Sequence, residues 1–381
     1  MKVLHVISNL GQGGAEAVLA RLVIASSSDI EHVVVSLRGD AYFGPRLRAA
    51  GILVHTLDNP RGWITLGSML TLRRIIIATA PDVVQTWMYH ADLVGGLVAR
   101  WAGVSSIVWG IRTSTLDTDK SSLLTRLVAR ACAALSKQVP AAIVCCAEQA
   151  AKVHQDIGYC KAKFTIIPNG YDLARFNIDD AARSRLRREW GIAPTDILLG
   201  LVARWDPQKD HANLLSALSQ LKAKQIGLRC VLVGSGVDSD NAALVGQIDD
   251  FQLNETVILA GPRDDIPSVM NALDLHVLPS AYGEAFPNVV AEAMACGTAC
   301  VVTNVGDAAL IVGKAGWVVP PRDAVALASG IEKALAALTE KGSAALGQDC
   351  RLRIEDNFSL NEMLNRYRTL WSIVIETKDV I

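Results

Sequence analysis

The sequence predicts an α/β protein of two domains, each a parallel sheet covered by helices on both faces. Three observations carry that prediction. At 381 residues the chain exceeds what one ordinary hydrophobic core holds. Short β-branched runs alternate with helix-length segments throughout, the pattern of parallel strands joined by crossover helices. The alternation is then broken by strong turn chemistry at Pro168-Asn169-Gly170 and restarts at Asp196.

In the first half, strands are expected over residues 3–8, 32–36, 53–56, 83–85, 107–109, 142–145 and 164–167. Helical patterns lie between them near 15–26, 66–78, 91–101, 121–136 and 148–157. A polar stretch, 179–189, separates the halves. Strands follow near 197–202, 230–233, 257–259, 275–278, 300–303 and 316–319, and the end of the chain reads as helices over 324–338, 346–355 and 360–375. The last helix carries an apolar stripe at Leu360, Met363, Leu364, Tyr367, Leu370, Trp371 and Val374, which needs a docking surface. These boundaries give domains 1–172 and 173–358, followed by a terminal helix, 359–381.

Composition narrows the function. Half of the chain is apolar and a fifth charged, as in globular proteins, and a net charge of -1 argues against a broad nucleic-acid surface. The eight cysteines show no paired C-x-x-C motifs, and Cys145, Cys146, Cys230 and Cys300 fall in apolar runs. A zinc site is therefore not expected, and a reducing, cytoplasmic setting is. The apolar run after Met1-Lys2 is too short for a secretion signal, and no stretch of ~18 uncharged apolar residues occurs.

The most informative segment is Glu284-Ala285-Phe286-Pro287-Asn288-Val289-Val290-Ala291-Glu292. Pro287 suits a first helical turn and Gly297 suits the stop, so Glu284 is expected in the loop and Glu292 on the second turn. Backbone N–H groups around Phe286 and Asn288 favour an anion. Two carboxylates flanking an anion site suit a ligand with both phosphates and hydroxyls, as in a sugar nucleotide.

Arg204 and Lys209, within Ala203-Arg204-Trp205-Asp206-Pro207-Gln208-Lys209-Asp210-His211, follow the first strand of the second domain. Ligands bind beyond the carboxyl ends of such strands, and two cations there suit a diphosphate that gains charge on leaving. The alternative is a surface ion-pair network with Asp206 and Asp210. Val233-Gly234-Ser235-Gly236 and Gly261-Pro262-Arg263 are turns at further strand ends and outline the same rim.

In the first domain, Gly11-Gln12-Gly13-Gly14-Ala15-Glu16 opens a helix directly after the first strand. It lets backbone approach a phosphate or sugar closely, or it is a tight turn without a ligand. A dinucleotide fingerprint needs glycine where Glu16 stands and an acid where Leu37-Arg38 stand, so a nicotinamide enzyme is disfavoured. His90 and Arg112 each follow a strand candidate. His90 is either a catalyst or a structural residue at a helix start, and Arg112 is either a phosphate or carboxylate holder or an exposed loop arginine. Walker A, H-E-x-x-H, G-x-S-x-G and Asp-x-Asp patterns are absent, so Arg204, Lys209 and helix N-termini are expected to neutralise the diphosphate without a metal.

Together these residues resemble the GT-B glycosyltransferases of family 4, also called group 1, the retaining nucleotide-sugar-dependent enzymes. The resemblance spans essentially the whole chain: the Gly-Gly-Ala-Glu entry, Ile-Pro-Asn-Gly, the Arg…Lys pair and the Glu-x7-Glu segment. It implies two facing Rossmann-like domains with a central cleft and a C-terminal helix crossing back to the first domain. The first domain is then the acceptor side and the second binds the nucleotide sugar, a UDP-sugar in preference to a GDP-sugar, with no cofactor. It implies that Glu292 binds ribose hydroxyls, Glu284 holds the transferred sugar, and Arg204 and Lys209 neutralise the diphosphate, with Gly13 and Gly14 packed against it. Gly234, Ala285, Phe286, Pro287 and Asn288 complete the donor site, with Arg263 near the base. Relatives place a histidine where this chain has Ile111-Arg112-Thr113, so Arg112 or His90 is expected to take over its contact with the donor sugar.

The expected acceptor is a saccharide, lipid-linked, used for a surface polysaccharide. Arg61-Gly62-Trp63 and Arg73-Arg74 flank an apolar helical stretch, and Arg126 and Arg130 share a helix with Leu123 and Leu127. These faces suit peripheral contact with the inner side of the cytoplasmic membrane, or else are core-facing helices with solvated arginines. The rival readings are a GT-B nucleotide-sugar epimerase and a non-catalytic sugar-nucleotide-binding protein.

Overall fold

The computed structural model describes residues 1–60, 64–113 and 122–377, so the Arg61-Gly62-Trp63 segment lies outside the described residues. In chain order the first elements are β1 (Lys2–Ile7), α1 (Gly14–Ser26), β2 (Glu31–Ser36), α2 (Phe43–Ala49), β3 (Leu53–Thr56), α3 (Leu66–Thr79), β4 (Val83–Trp87), α4 (Tyr89–Trp101), β5 (Ile107–Ile111), α5 (Leu123–Leu135), β6 (Ala142–Cys145), α6 (Glu148–Asp156) and β7 (Phe164–Ile166). They continue as α7 (Asp180–Glu189), β8 (Leu198–Val202), α8 (His211–Ala223), β9 (Arg229–Val233), α9 (Ala242–Asp250), β10 (Val257–Leu259), α10 (Ile266–Ala272), β11 (Leu275–Leu278), α11 (Asn288–Ala295), β12 (Ala299–Thr303), α12 (Ala308–Val312) and β13 (Trp317–Val319). Three helices close the chain: α13 (Ala324–Lys341), α14 (Ser343–Phe358) and α15 (Leu360–Glu376). The chain forms two compact units, Met1–Gly170 together with Leu360–Ile381, and Tyr171–Ser359.

The first unit is a parallel sheet in the order β3-β2-β1-β4-β5-β6-β7. Helices cover both faces of such a sheet, which is why β4 and β5 are buried at every residue and β5 reads as an apolar run rather than an alternation. The helix α15 belongs to this unit. Its stripe of Met363, Leu364, Tyr367, Leu370, Trp371 and Val374 is buried in one core with Val3, Ile7, Leu19 and Val23. This is the crossing-back helix that the sequence predicts.

Beneath α15 runs a directed chain of hydrogen bonds. Trp87 Nε1 donates to His5 Nδ1 at 3.2 Å, and His5 Nε2 lies 3.0 Å from His32 Nδ1. His32 Nε2 lies 2.8 Å from Ser26 Oγ, which donates to the Leu22 carbonyl. Because an indole N–H only donates, the order assigns one tautomer to each imidazole. Burial holds the His32 ring down at about 4, and burial followed by the neighbouring His32 lowers His5. Trp371 packs edge-on against both rings and donates to Gln85 Oε1 at 3.2 Å. Arg112 joins this layer: its guanidinium lies over the Trp87 ring and donates to Asn169 Oδ1 at 2.6 Å and to the Tyr367 hydroxyl.

Asp92, on the first turn of α4, is fully buried, and its Oδ1 accepts from Thr86 Oγ1 at 2.5 Å and from the Gly110 N–H at 3.2 Å. Burial pushes its carboxyl up to about 8. A raised carboxyl favours the fold below the unfolded value near 4, and that contribution is lost as pH rises through about 8. Asp92→Asn keeps the Oδ1 acceptor and removes the titration. Its melting temperature relative to wild type should therefore rise by at least ~3 °C between pH 5 and pH 8.5. A pH-independent difference in thermal unfolding would show that Asp92 is already ionised in the fold.

The second unit is a parallel sheet in the order β10-β9-β8-β11-β12-β13. The expected polar stretch before it is largely a helix, α7, which begins where Asp179 accepts from the Ala182 N–H at 2.9 Å. Its charges are structural: Arg183 and Arg187 both reach Asp274, at 2.5 and 3.2 Å, and Arg183 also caps backbone carbonyls of residues 271–273. Helix α11 starts one residue later than the sequence suggests, with Pro287 as its N-cap at φ -71 and ψ 102. Gly297, at φ +77, ends it as expected.

Candidate active site

In a parallel sheet all carboxyl ends lie at one edge, and there the second unit gathers its chemistry. The loop after β8 carries Arg204 and Lys209, that after β9 carries Gly234, that after β10 carries Arg263, and that after β11 carries Glu284. The loops are stitched together by backbone. Ala203 N–H donates to Val233 O at 2.8 Å, Trp205 N–H to Ser235 O at 2.8 Å, and Gly234 N–H to Gly261 O at 2.9 Å. Gly234, at φ +154, is required: a Cβ there would stand 2.1 Å from the Ala203 carbonyl oxygen.

The sharpest feature is the pair Lys209 Nζ–Glu284 Oε1 at 2.5 Å, with both side chains almost wholly buried (12 % and 8 % exposed). Ser280, fully buried, donates from Oγ to the same Glu284 oxygen at 2.7 Å, and Thr303 Oγ1 fixes the Ser280 carbonyl at 2.6 Å. Glu284 is pinned through its backbone as well. Gly306 lies so close that a Cβ would meet the Glu284 carbonyl at 2.2 Å, and the Asp307 N–H donates to Ala285 O at 2.9 Å. A buried carboxylate held by a lysine and a hydroxyl is preorganised to receive hydroxyl groups, and the lysine to receive an anion. Beneath the pair lies His276, fully buried on β11, whose ring burial and the Lys209 charge drive down to about 3.

The other predicted residues of this unit lie on the carboxyl-edge loops and on α11. Glu292 is half-buried on the second turn of α11. Asn288 Oδ1 accepts from the buried Tyr171 hydroxyl at 2.7 Å, and Phe286 packs edge-on against Phe358, so the start of α11 is held on two sides. Ala285, Phe286 and Pro287 form its approach, where first-turn N–H groups lack intrahelical acceptors. Arg204 is exposed and pairs with Asp206 at 3.1 Å, part of the ion-pair arrangement raised as its alternative. Arg263 forks onto Asp265 at 2.7 and 2.9 Å and reaches Glu189 at 2.7 Å, and those hydrogen bonds raise it further above the usual guanidinium range.

The remaining predicted residues belong to the first unit. Gly13 precedes α1, and Glu16 folds back on it, since a Cβ at Gly13 would meet Glu16 Oε2 at 2.2 Å. Gly14 is the first residue of α1. Arg112 is engaged with Asn169, with Tyr367 of α15 and with the face of Trp87. His90 lines a cavity of about 270 Å³ with Ser8, Arg38, Asn59, Ser122 and Thr125. Burial lowers its imidazole, leaving it neutral at pH 7. Sequence reading missed Ser280, Arg38 and Asn59. Arg38 alone carried a signal, as a cation at the end of β2 where a dinucleotide enzyme has an acid.

Two Rossmann-like units and a terminal helix returned to the first give the chain the GT-B architecture. The model described as "Glycosyltransferase Family 4" matches residues 12–175, and that described as "Glycosyl transferases group 1" matches residues 196–337. The chain belongs to this group 1, family 4 glycosyltransferase family and is an enzyme of that class. It is 28% identical over 326 residues to a putative glycosyltransferase, EpsF, of Bacillus subtilis, covering 80% of this chain and 79% of that one. It is 22% identical over 316 residues to the UDP-Gal:alpha-D-GlcNAc-diphosphoundecaprenol alpha-1,3-galactosyltransferase of Escherichia coli, covering 82% and 80%. Its fold matches that of Anabaena Alr3699/HepE solved in complex with UDP, with a TM-score of 0.86 at 22% identity, over 98% of this chain and 100% of that chain.

Among the described residues, no group of three or more His, Cys, Asp and Glu is placed to hold a metal ion, and no helix is long and apolar enough to cross a membrane.

Proposed function

We propose that the protein transfers a sugar from a UDP-sugar to a saccharide carried on a lipid diphosphate, with retention at the anomeric carbon, in the assembly of a surface polysaccharide. The observation that carries this reading is the buried Lys209–Glu284–Ser280 constellation at the carboxyl edge of the second sheet. Supporting it are the names of the relatives: a UDP-galactose enzyme acting on a diphosphoundecaprenol acceptor, and a fold neighbour solved with UDP.

Lys209 and Arg204 take the diphosphate, helped by the N-terminal turn of α11, and no metal is needed. Glu284, released from Lys209 by the incoming phosphate, holds hydroxyls of the sugar, and Glu292 those of ribose. The bond from the anomeric carbon to the diphosphate breaks first. The acceptor oxygen then bonds to that carbon on the same face, and its proton passes to the departing phosphate oxygen. No separate base is required, and the rate rests on stabilising the leaving charge. The cavity around His90 and Arg38 receives the acceptor, with Arg38 facing its phosphates.

The test is an incubation with UDP-sugar and a lipid-diphosphate saccharide, followed by NMR of the product. The expected product carries the new linkage with the donor's anomeric configuration and appears with one UDP. An inverted linkage would overturn the mechanism. An altered nucleotide sugar formed without any acceptor would make the protein an epimerase instead.

A further inference from the structure

Helices α4 and α5, which supply residues to the His90 cavity, share an unusual outer face with the neighbouring α3. α4 packs between α3 and α5. Each buries one side, through Leu72 and Ile76 on α3, Gly95 and Ala99 on α4, and Ala129 and Cys132 on α5. The opposite sides are apolar and exposed: Leu66 (71%) and Ile77 on α3, Leu97 and Trp101 on α4, Leu123 (65%) and Leu127 on α5. With Leu70 and Leu124, these three helices hold eight of the seventeen exposed large apolar side chains among the described residues. Such clustering marks an interaction surface, where scattered exposure would not.

The charge on this face has one sign. α3 carries Arg73 and Arg74, α4 carries Arg100, and α5 carries Arg130, while Arg126 of α5 is half-buried with its Nε shut from solvent. α3 and α5 contain no Asp or Glu, and the only acid of α4, Asp92, is fully buried. In a chain of 37 basic and 38 acidic residues this is a sharp local imbalance. Arg73 also stacks 4.7 Å over the exposed Trp101 ring, an apolar body with a charged edge that suits a headgroup layer.

We propose that this face of α3, α4 and α5 rests on an anionic lipid monolayer. The exposed leucines enter the acyl boundary and the arginines meet phosphate headgroups. A second copy of the chain fits poorly, because a two-fold contact would set arginines against arginines with no carboxylate between them. The first turns of α4 and α5, with the α5 N-cap Ser122, supply His90, Leu124 and Thr125 to the cavity, so a docked enzyme holds the cavity beside the lipid surface. The inference deepens the reading of a lipid-carried acceptor and rests on it for its purpose.

The full chain is floated with vesicles of phosphatidylcholine alone and of phosphatidylcholine with about 30 mol% phosphatidylglycerol, in low and high salt. Wild type should bind only the anionic vesicles and release in high salt. Leu123→Glu/Leu127→Glu and Arg74→Glu/Arg130→Glu should each weaken partitioning at least ~10-fold, with the thermal response to UDP unchanged. These positions are exposed and outside the cavity lining, so folding is not at stake. Failure of wild type to bind anionic vesicles, or indifference to both pairs of substitutions, would overturn the proposal. A wild-type dimer in sedimentation that the substitutions dissolve would assign the face to a second copy. A wild type that ignores anionic vesicles but keeps its UDP response refutes the docking face and spares the donor reading; wild-type vesicle binding without any UDP response does the reverse.

Discussion

Lys209→Ala should lower turnover ~10²-fold or more, with kcat and kcat/KM falling together, as expected when a group stabilises charge that develops on the leaving diphosphate. The same substitution also strands Glu284, whose side chain is only 8 % exposed and whose hydrogen-bonded cation is Lys209 at 2.5 Å. A buried carboxylate without its partner is costly, so the melting temperature should drop as well. The two effects separate in Lys209→Ala/Glu284→Gln, in which the unpaired charge is gone: stability returns and turnover does not. Steady-state kinetics and thermal unfolding of the two variants decide it. Turnover near wild type in Lys209→Ala would remove the lysine from the chemistry and leave a structural ion pair.

The largest expected loss of stability lies in the first unit, at Trp371. Its ring is fully buried, packs on His5, His32 and Tyr367, and donates to Gln85 Oε1 at 3.2 Å. Truncating such a side chain costs about 3–5 kcal/mol, and here it also orphans the Gln85 carbonyl oxygen. Trp371→Ala should therefore lower the melting temperature by roughly 10 °C for a unit of this size. Trp371→Phe, which keeps most of the packing and loses the hydrogen bond, should lose about a third as much. A drop below ~3 °C in Trp371→Ala would mean that α15 contributes little to the stability of the first unit.

Parallel strands were legible because burial on both faces leaves a short β-branched run between turn residues, as in Val33-Val34-Val35 or Val301-Val302. The helix α15 was legible because its apolar stripe is long and strictly periodic. α2 and α7 were not. α2 begins Phe43-Gly44-Pro45, which reads as a turn, and α7 is so rich in charge that it resembles a linker. Two of its arginines, Arg183 and the buried Arg187, are held by ion pairs and carbonyl contacts to residues 271–274, which lie far along the chain.

The same limit governs the site. The Glu-x7-Glu spacing and the strand-end cations marked the residues, but the contact between Lys209 and Glu284 spans 75 positions and has no local signature. Arg112 shows the reverse case. Its position after a strand suggested an anion holder, while its partners Asn169 and Tyr367 lie 57 and 255 positions away. Ser280 looked like any serine at a strand end until the fold placed its hydroxyl on Glu284.

The central claim is that the carboxyl edge of the second sheet binds a nucleoside diphosphate sugar through Lys209. Its most direct measurement is the thermal shift of wild type and Lys209→Ala with UDP, GDP, ADP and their sugars. UDP and a UDP-sugar at ~100 times their dissociation constant should stabilise wild type by about 2.7 kcal/mol, several degrees, with the shift largely lost in Lys209→Ala. A wild-type protein whose melting temperature responds to none of these nucleotides would contradict the account.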